Sequence, residues 1–399
     1  MSHDSAPFLI VLTLAFVAPL AADLLGRLLP VPTVVLELLL GVLAGPSVLS
    51  WVHETTVLTF TANFGLAFLM FLAGFEIDLA RLSGRPLRRA TLGWALSLPV
   101  GLLVGLLLVW SGSTVSRLVV GLALTTTALG TLLPILRDAG ALPTRFGAQV
   151  MAIGTLGEFG PIVAVSLLLS GRNAGASAVA LACFAAVTVV VLAFARRPLP
   201  APLDRVVRAT LHSSGQLAIR LGVLVLAVLV WAADELGLDA LLGAFAAGLI
   251  IRLLLSDMPA EARETVAGKL DAIGFGMFIP VFFVVSGVRF DGRALFADLG
   301  TVALLPLFLV LFLLVRGVPT YLVERGAPAA VRLGLALFGS AGLPLIVVIT
   351  GIGVAEGELK ASTAAAMVGA GMVSVLVFPL LGLRAYRGAI AADPALTGR

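Results

Sequence analysis

Glu158 is the acid set deepest in an apolar run of this 399-residue sequence, within AQVMAIGTLGEFGPIVAVS at positions 148–166. At about 1.5 Å of helical rise per residue it lies roughly 16 to 18 Å from either end of the apolar run 146–169, the middle of a lipid bilayer. A bare carboxylate there costs several kcal/mol unless it faces protein or water. Bound to one proton or to one metal cation it becomes tolerable, and competition between the two for one carboxylate is the chemistry of ion exchange. The alternative is an acid that only ties helices together through a shared proton. Gly157, Gly160 and Pro161 surround it. The glycines admit a close neighbour, and Pro161 leaves the carbonyl one turn back without its usual N–H, a candidate cation ligand. Ordinary small-residue packing explains the same three residues.

Two more interruptions of apolar runs carry hydroxyls. Thr125, Thr126 and Thr127 precede Gly130 and Pro134, and Gly339, Ser340 and Gly342 precede Pro344. Matched breaks of this kind are the mark of discontinuous helices crossing near the midplane, whose half-helix ends carry partial charges. The half-helix ends and hydroxyls of the two breaks are expected beside Glu158.

Weaker candidates lie nearer the ends of the runs. Asp23 and Glu37 are expected within reach of water. Glu76 and Asp78 are expected to pair with Arg81, Arg85, Arg88 or Arg89, with Arg289 and Asp291 as their counterparts. Asp271 is read as opening a helix, Arg220 as snorkelling, and Cys183 as a small buried hydrophobe. His3, His53 and His212 have no spacing that suggests a metal site.

The elements that must position these groups are read from composition first. The chain is 60% apolar and 12% charged, with a mean hydropathy of +1.13, too little polar surface for a water-soluble domain. Cutting at charge, Pro and Gly clusters leaves segments at 8–29, 32–50, 57–79, 90–110, 116–137, 146–169, 175–195, 210–232, 236–256, 270–289, 298–316, 330–351 and 361–383. Each approaches the roughly 20 residues that span a bilayer. The first lacks preceding Lys or Arg and reads as a spanning helix, not a cleaved signal.

Of 26 Lys and Arg residues, twenty fall in loops on one side, five on the other, and Arg220 within segment 8. The positive-inside rule then puts the N-terminus outside and the C-terminus in the cytoplasm. Gly74-Phe-Glu76-Ile-Asp78 recurs as Gly287-Val-Arg289-Phe-Asp291, and Gly121-Leu-Ala-Leu124 as Gly334-Leu-Ala-Leu337, both shifted by 213 positions. Leu40-Gly41 and Ala44-Gly45 in segment 2 resemble Leu242-Gly243 and Ala247-Gly248 in segment 9. Seven segments separate each motif from its copy, and an odd number reverses direction in the membrane. The expectation is an all-α polytopic membrane protein of about thirteen helices. Residues 1–170 form one inverted repeat, 171–209 a linker helix and loop, 210–388 the second repeat and 389–399 a short tail, with helices 5 and 12 discontinuous and crossed.

Residues 32–46 (PTVVLELLLGVLAGP), 68–79 (FLMFLAGFEIDL), 124–130 (LTTTALG) and 282–288 (FFVVSGV) resemble the bacterial monovalent cation:proton antiporter-2 family. That resemblance implies a homodimer in which a core bundle moves against a scaffold, and a helix-6 acid, here Glu158, that binds Na⁺ or K⁺. Thr126, Thr127 and Ser340 follow as nearby groups. Two departures stand out. Family members place an Asp after Gln, Asn or a second Asp, whereas Gly157 precedes Glu158. Electrogenic members carry a Lys on helix 10, whereas residues 273–285 have no basic side chain.

One carboxylate exchanging one proton for one monovalent cation predicts electroneutral antiport across the bacterial inner membrane. No phosphate-cradling GxxxxGK[ST] loop or dinucleotide fingerprint occurs, so neither a nucleotide nor another cofactor is expected, and the scattered basic residues do not suit nucleic acid. The rival readings are a sodium-coupled organic-anion symporter, which an arginine near the break would favour, and a non-transporting sensor or scaffold. The core is expected to lack such an arginine.

Overall fold

The computed structural model describes residues 2–26, 32–77, 84–110, 116–168, 174–195, 210, 215–256, 258–296 and 299–392. The described residues are helical without strands. Among the described residues, nine helices are long and apolar enough to cross a bilayer alone, and four shorter apolar stretches, Thr33–Ala44, Arg117–Leu133, Val179–Val190 and Ala240–Leu254, lie between them in sequence. Hydrocarbon offers no partner for a backbone amide, so a spanning chain folds into helices that satisfy their own N–H and C=O groups.

The thirteen elements match the expected segments in order. They are α1 (Ser2–Gly26), α2 (Thr33–Ala44), α3 (Thr56–Glu76), α4 (Arg85–Trp110), α5 (Arg117–Leu124 and Leu129–Asp138), α6 (Arg145–Leu168) and α7 (Ala174–Ala195). There follow α8 (Leu217–Glu235), α9 (Ala240–Leu254), α10 (Ala260–Val288), α11 (Leu299–Val323), α12 (Ala329–Ser340 and Pro344–Ala355) and α13 (Ala361–Ala392). Single π turns interrupt α10 at Gly274–Phe278 and α11 at Leu313–Gly317.

Two compact units interleave along the chain. One comprises 1–54, 78–164 and 284–399, the other 55–77 and 165–283. The first holds α5, α6, α12 and α13, and the second holds α3, α8 and α9. Within the first, α2 and the end of α10 approach so closely that a Cβ on Gly41 would fall on the Val284 carbonyl and one on Gly287 on the Leu38 carbonyl. Within the second, a Cβ on Gly74 would fall on the Phe245 carbonyl of α9 and one on Gly248 on the Phe71 carbonyl of α3. Backbones this close leave room for glycine only. Helices 2 and 9 carry one repeated glycine motif and helices 3 and 10 the other, so each unit uses one copy of each.

Several expectations shift. α10 starts at Ala260, so Asp271 lies well inside it and does not open it. α11 runs on to Val323, which turns Arg316 from a loop residue into an interior one. Cys183 is exposed on α7, since a weakly polar thiol fits a lipid-facing surface as readily as a core. Glu37 is 4% exposed and sheltered from water, because the α2 face beside it is covered by the close approach to α10. Asp78, Arg81 and His212 lie outside the described residues.

Gly287→Val is expected to destabilise the fold by about 1–3 kcal/mol through overpacking against Leu38. Gly351→Ala, in α12 with nothing within 4 Å of the added methyl, should leave the thermal unfolding midpoint unchanged or raised. Scanning both variants in the same detergent checks the contrast.

Candidate functional site

The α5 helix stops at Leu124 and resumes at Leu129. Thr125 and Thr126 close the first half by turning their N–H groups onto the Leu122 and Ala123 carbonyls, while their hydroxyls donate to the same two oxygens at 2.8 Å. A break in mid-membrane leaves amide donors that no water can satisfy, and the next two find acceptors on other helices. Thr127 N donates to the Gly157 carbonyl at 2.9 Å, and Ala128 N donates to the Ala341 carbonyl at 2.8 Å.

The Gly157 acceptor exists because Pro161, four residues on, has no N–H to give it. That carbonyl, a candidate cation ligand from the sequence, accepts the Thr127 amide of the broken α5 helix, because an orphan amide in a dry interior must find an acceptor.

The α12 break is tied to the same place. Thr127 Oγ1 donates to the Gly339 carbonyl at 2.6 Å, so the two breaks touch through residues 127 and 339 as well as 128 and 341. Gly342 N donates to Ser374 Oγ on α13 at 3.2 Å, and Ser374 Oγ reaches the Gly371 carbonyl at 2.7 Å. A Cβ on Gly342 would meet Thr126 Oγ1 at 3.0 Å.

Glu158 lies midway along α6 and is 1% exposed. Its Oε1 accepts from Gly130 N at 3.4 Å. Gly130 is in the first turn of the second half of α5, where Ala128 supplies no side-chain cap. The carboxylate therefore sits at the positive end of a half-helix dipole. Of the hydroxyls expected nearby, Thr127 is bound into the crossing. Thr126 bonds back to Ala123, and Ser340 back to the Ala336 carbonyl at 2.8 Å.

The largest departure is Arg316. It is 1% exposed, and its guanidinium donates from Nε and Nη2 to Thr127 Oγ1 at 3.1 and 2.8 Å. Nη2 also reaches the Ile153 carbonyl at 3.2 Å, and Nη1 reaches Ser97 Oγ at 3.4 Å. The expectation of a core without arginine fails here. The signal was present in the sequence, for Arg316 is followed by GVPTYLV, a run apolar enough to continue a helix. Using the charge as a boundary hid it.

Arg316 also explains Gly157. A Cβ at that position would meet Thr127 Oγ1 and come within 2.8 Å of Arg316 Nη2. The space that a side chain at position 157 would need is filled by the guanidinium and the threonine.

Other charged groups stand apart from this cluster. Glu324, buried at the end of α11, accepts from Arg89 Nη1 at 2.8 Å and from Gln149 Nε2 at 3.0 Å. Arg289 pairs with Glu54 at 2.9 Å, and Asp291 caps Ala294 N. Among the described residues no cluster of three His, Cys, Asp or Glu has the proximity of a metal centre.

The sodium/hydrogen exchanger transmembrane family model matches residues 12–382. YjbQ of Bacillus subtilis is 28% identical over 348 residues, covering 82% of this chain and 54% of YjbQ; the chain thus spans about half the length of that relative. GerN of Bacillus cereus, named a Na(+)/H(+)-K(+) antiporter, is 28% identical over 289 residues, 68% of this chain and 69% of GerN. The fold resembles that of the sodium proton antiporter MjNhaP1 from Methanocaldococcus jannaschii, with a TM-score of 0.69 at 17% identity, covering 98% of this chain and 99% of that one.

Arg316→Lys keeps a positive charge but cannot span Thr127, Ser97 and Ile153 at once. Lost hydrogen bonds among buried groups predict a destabilisation of about 1–3 kcal/mol, read as a lower unfolding midpoint. Gly157→Ala should lower it too, by displacing Thr127 from Gly339. Equal midpoints for wild type and both variants would contradict this account of the crossing.

Proposed function

Because the chain belongs to the sodium/hydrogen exchanger family, we propose that it is a secondary antiporter exchanging Na⁺ or K⁺ for H⁺, with Glu158 as the group for which the two compete. The observation that carries this reading is the placement of Glu158. It is a carboxylate in the middle of α6, sealed at 1% exposure and set against the N-terminus of the second half of α5.

The half-helix end and Arg316 place hydrogen-bond donors and a positive charge at the same crossing as Glu158, where a proton and a cation take turns on its oxygens. One carboxylate brings one negative charge and takes up one positive charge at a time. Proton and cation each bring one, and the site has the same total charge with either aboard. One-for-one, electroneutral exchange follows. The π turn of α11 sets Arg316 at the crossing, so this charge moves with the broken helices and not with the ion.

In this reading Thr126, Thr127 and Ser340 contribute through the crossing more than as ligands. Their hydroxyl protons are given to carbonyls, which leaves oxygen lone pairs as the only groups they can offer a cation. The site opens to one aqueous side and then to the other, as inverted-repeat transporters do. The asymmetry of basic loops puts the N-terminus outside and the C-terminus in the cytoplasm of the bacterial inner membrane. The resemblance to the antiporter-2 family supports a homodimer.

Glu158→Gln should abolish alkali-cation-dependent dissipation of a pH gradient in proteoliposomes, for NaCl and KCl alike, while the protein elutes and melts as a folded species. With wild type, exchange at a membrane potential clamped to zero should equal exchange at an imposed potential. Persisting cation-dependent proton flux in Glu158→Gln would sink the assignment, and turnover that scales with potential would sink the stoichiometry.

A further inference from the structure

A cavity of about 450 Å³ lies at the end of the first unit where α4, α6 and α12 begin and α13 nears its end. Arg85 and Arg89 of α4 and Arg145 of α6 line it, together with Phe146, Gln149 and Tyr386. We propose that this cavity binds a phosphate ester: a soluble organophosphate or the headgroup of an anionic phospholipid.

The charge balance points to an anion. Glu324 is the acid nearest these groups by its bonds, and it is already committed to Arg89 and Gln149. Arg85 and Arg145 have no acidic partner among the described residues. Three helix N-termini add to their charge. The first turns of α4, α6 and α12 all contribute to the lining, and α12 starts at Ala329, after Pro328, with no side-chain cap for its leading amides. Amides and positive dipole ends that converge in this way favour anions.

Two guanidiniums and the uncapped leading amides of α12 form a donor set that a phosphate with several acceptor oxygens satisfies better than a halide or a single carboxylate.

The rest of the cavity argues for an ester over inorganic phosphate. The Phe146 and Tyr386 rings stack at 4.1 Å, with Val331 beside them, and give one wall an apolar face. A volume of this size falls in the range of small-molecule sites, about 300 to 1,000 Å³. A bound phosphate would brace the starts of α4, α6 and α12, which supply Ser97, Glu158 and Ser340 farther along. It rests on none of the ion chemistry proposed for Glu158.

The test has two arms, both with the full-length protein. In one, delipidated protein in phosphate-free detergent is titrated calorimetrically with glycerol 3-phosphate and with inorganic phosphate at constant ionic strength. In the other, protein from phosphatidylglycerol or phosphatidylcholine nanodiscs is examined by native mass spectrometry for retained lipid. Saturable glycerol 3-phosphate binding that weakens at least tenfold in Arg85→Gln/Arg145→Gln identifies a soluble ester. Retention of phosphatidylglycerol alone, lost in the same variant, identifies a lipid headgroup. No binding in either arm, or binding that the double variant leaves within twofold, overturns the proposal. Arg85→Lys/Arg145→Lys keeps both charges and decides the matter if the double Gln variant does not fold; losing the planar donor forks should weaken binding severalfold, and unchanged affinity overturns the proposal. Glu158→Gln should bind like wild type, so failure of the antiport reading is a separate result.

Discussion

A helix that stops in the middle of a membrane exposes amide and carbonyl groups to a medium that cannot solvate them, and the arrangement around α5 and α12 follows from meeting that cost. Each orphan at the crossing is answered by another irregularity. The amide of Thr127 uses the Gly157 carbonyl that Pro161 cannot reach, and the amide of Ala128 uses the Ala341 carbonyl at the opposite break. Thr127 then spends its hydroxyl on Gly339 and its lone pairs on Arg316. Gly130 donates to Glu158. Remove any one of these and a buried group loses its partner, which costs about 1–3 kcal/mol for a neutral group and more for a charged one. The crossing is thus held as a unit, and the acid sits where its unpaired helix end points.

Arg316 changes the electrostatic account of that acid. A lone carboxylate in hydrocarbon must always carry a proton or a cation. The guanidinium held by Thr127, Ser97 and the Ile153 carbonyl puts a positive charge at the same crossing, against the position of Gly157. The donors of Arg316 are shared among several neutral acceptors, so the cation is anchored in the scaffold of α4, α5 and α6 and does not depend on Glu158 to stay.

Much of this was legible in the residues themselves. Thirteen apolar runs gave the thirteen elements because in a membrane the backbone has one economical solution, and length alone identifies it. The two breaks were legible because Thr, Gly and Pro disturb an otherwise uniform pattern, and Glu158 because no other acid lies so far from an end. What escaped depended on contacts between distant residues or on treating charge as punctuation. Arg316 was assigned to a loop although the apolar sequence resumes after it. The use of the Gly157 carbonyl could not be inferred without knowing that Thr127 arrives there. Glu37 looked close to water, and the fit of Gly41 and Gly287 that covers its helix joins residues 246 positions apart.

The glycine contacts give the repeat a physical meaning that motif matching lacks. A similarity between residues 74 and 287 is weak in a chain holding 43 glycines. It gains weight once Gly287 packs on α2 through Leu38 and Gly74 packs on α9 through Phe245, because α2 and α9 are themselves the paired helices of the second motif. Helix 2 packs against helix 10 and helix 9 against helix 3, one pairing in each unit. The breaks carry the same offset, since Ala128 and Ala341, which bond to each other, are separated by 213 positions, the spacing of the glycine motifs. Two kinds of contact, one of close-packed backbones and one of shared orphan amides, thus fall on residues with one spacing, and the second lies in the unit that holds Glu158.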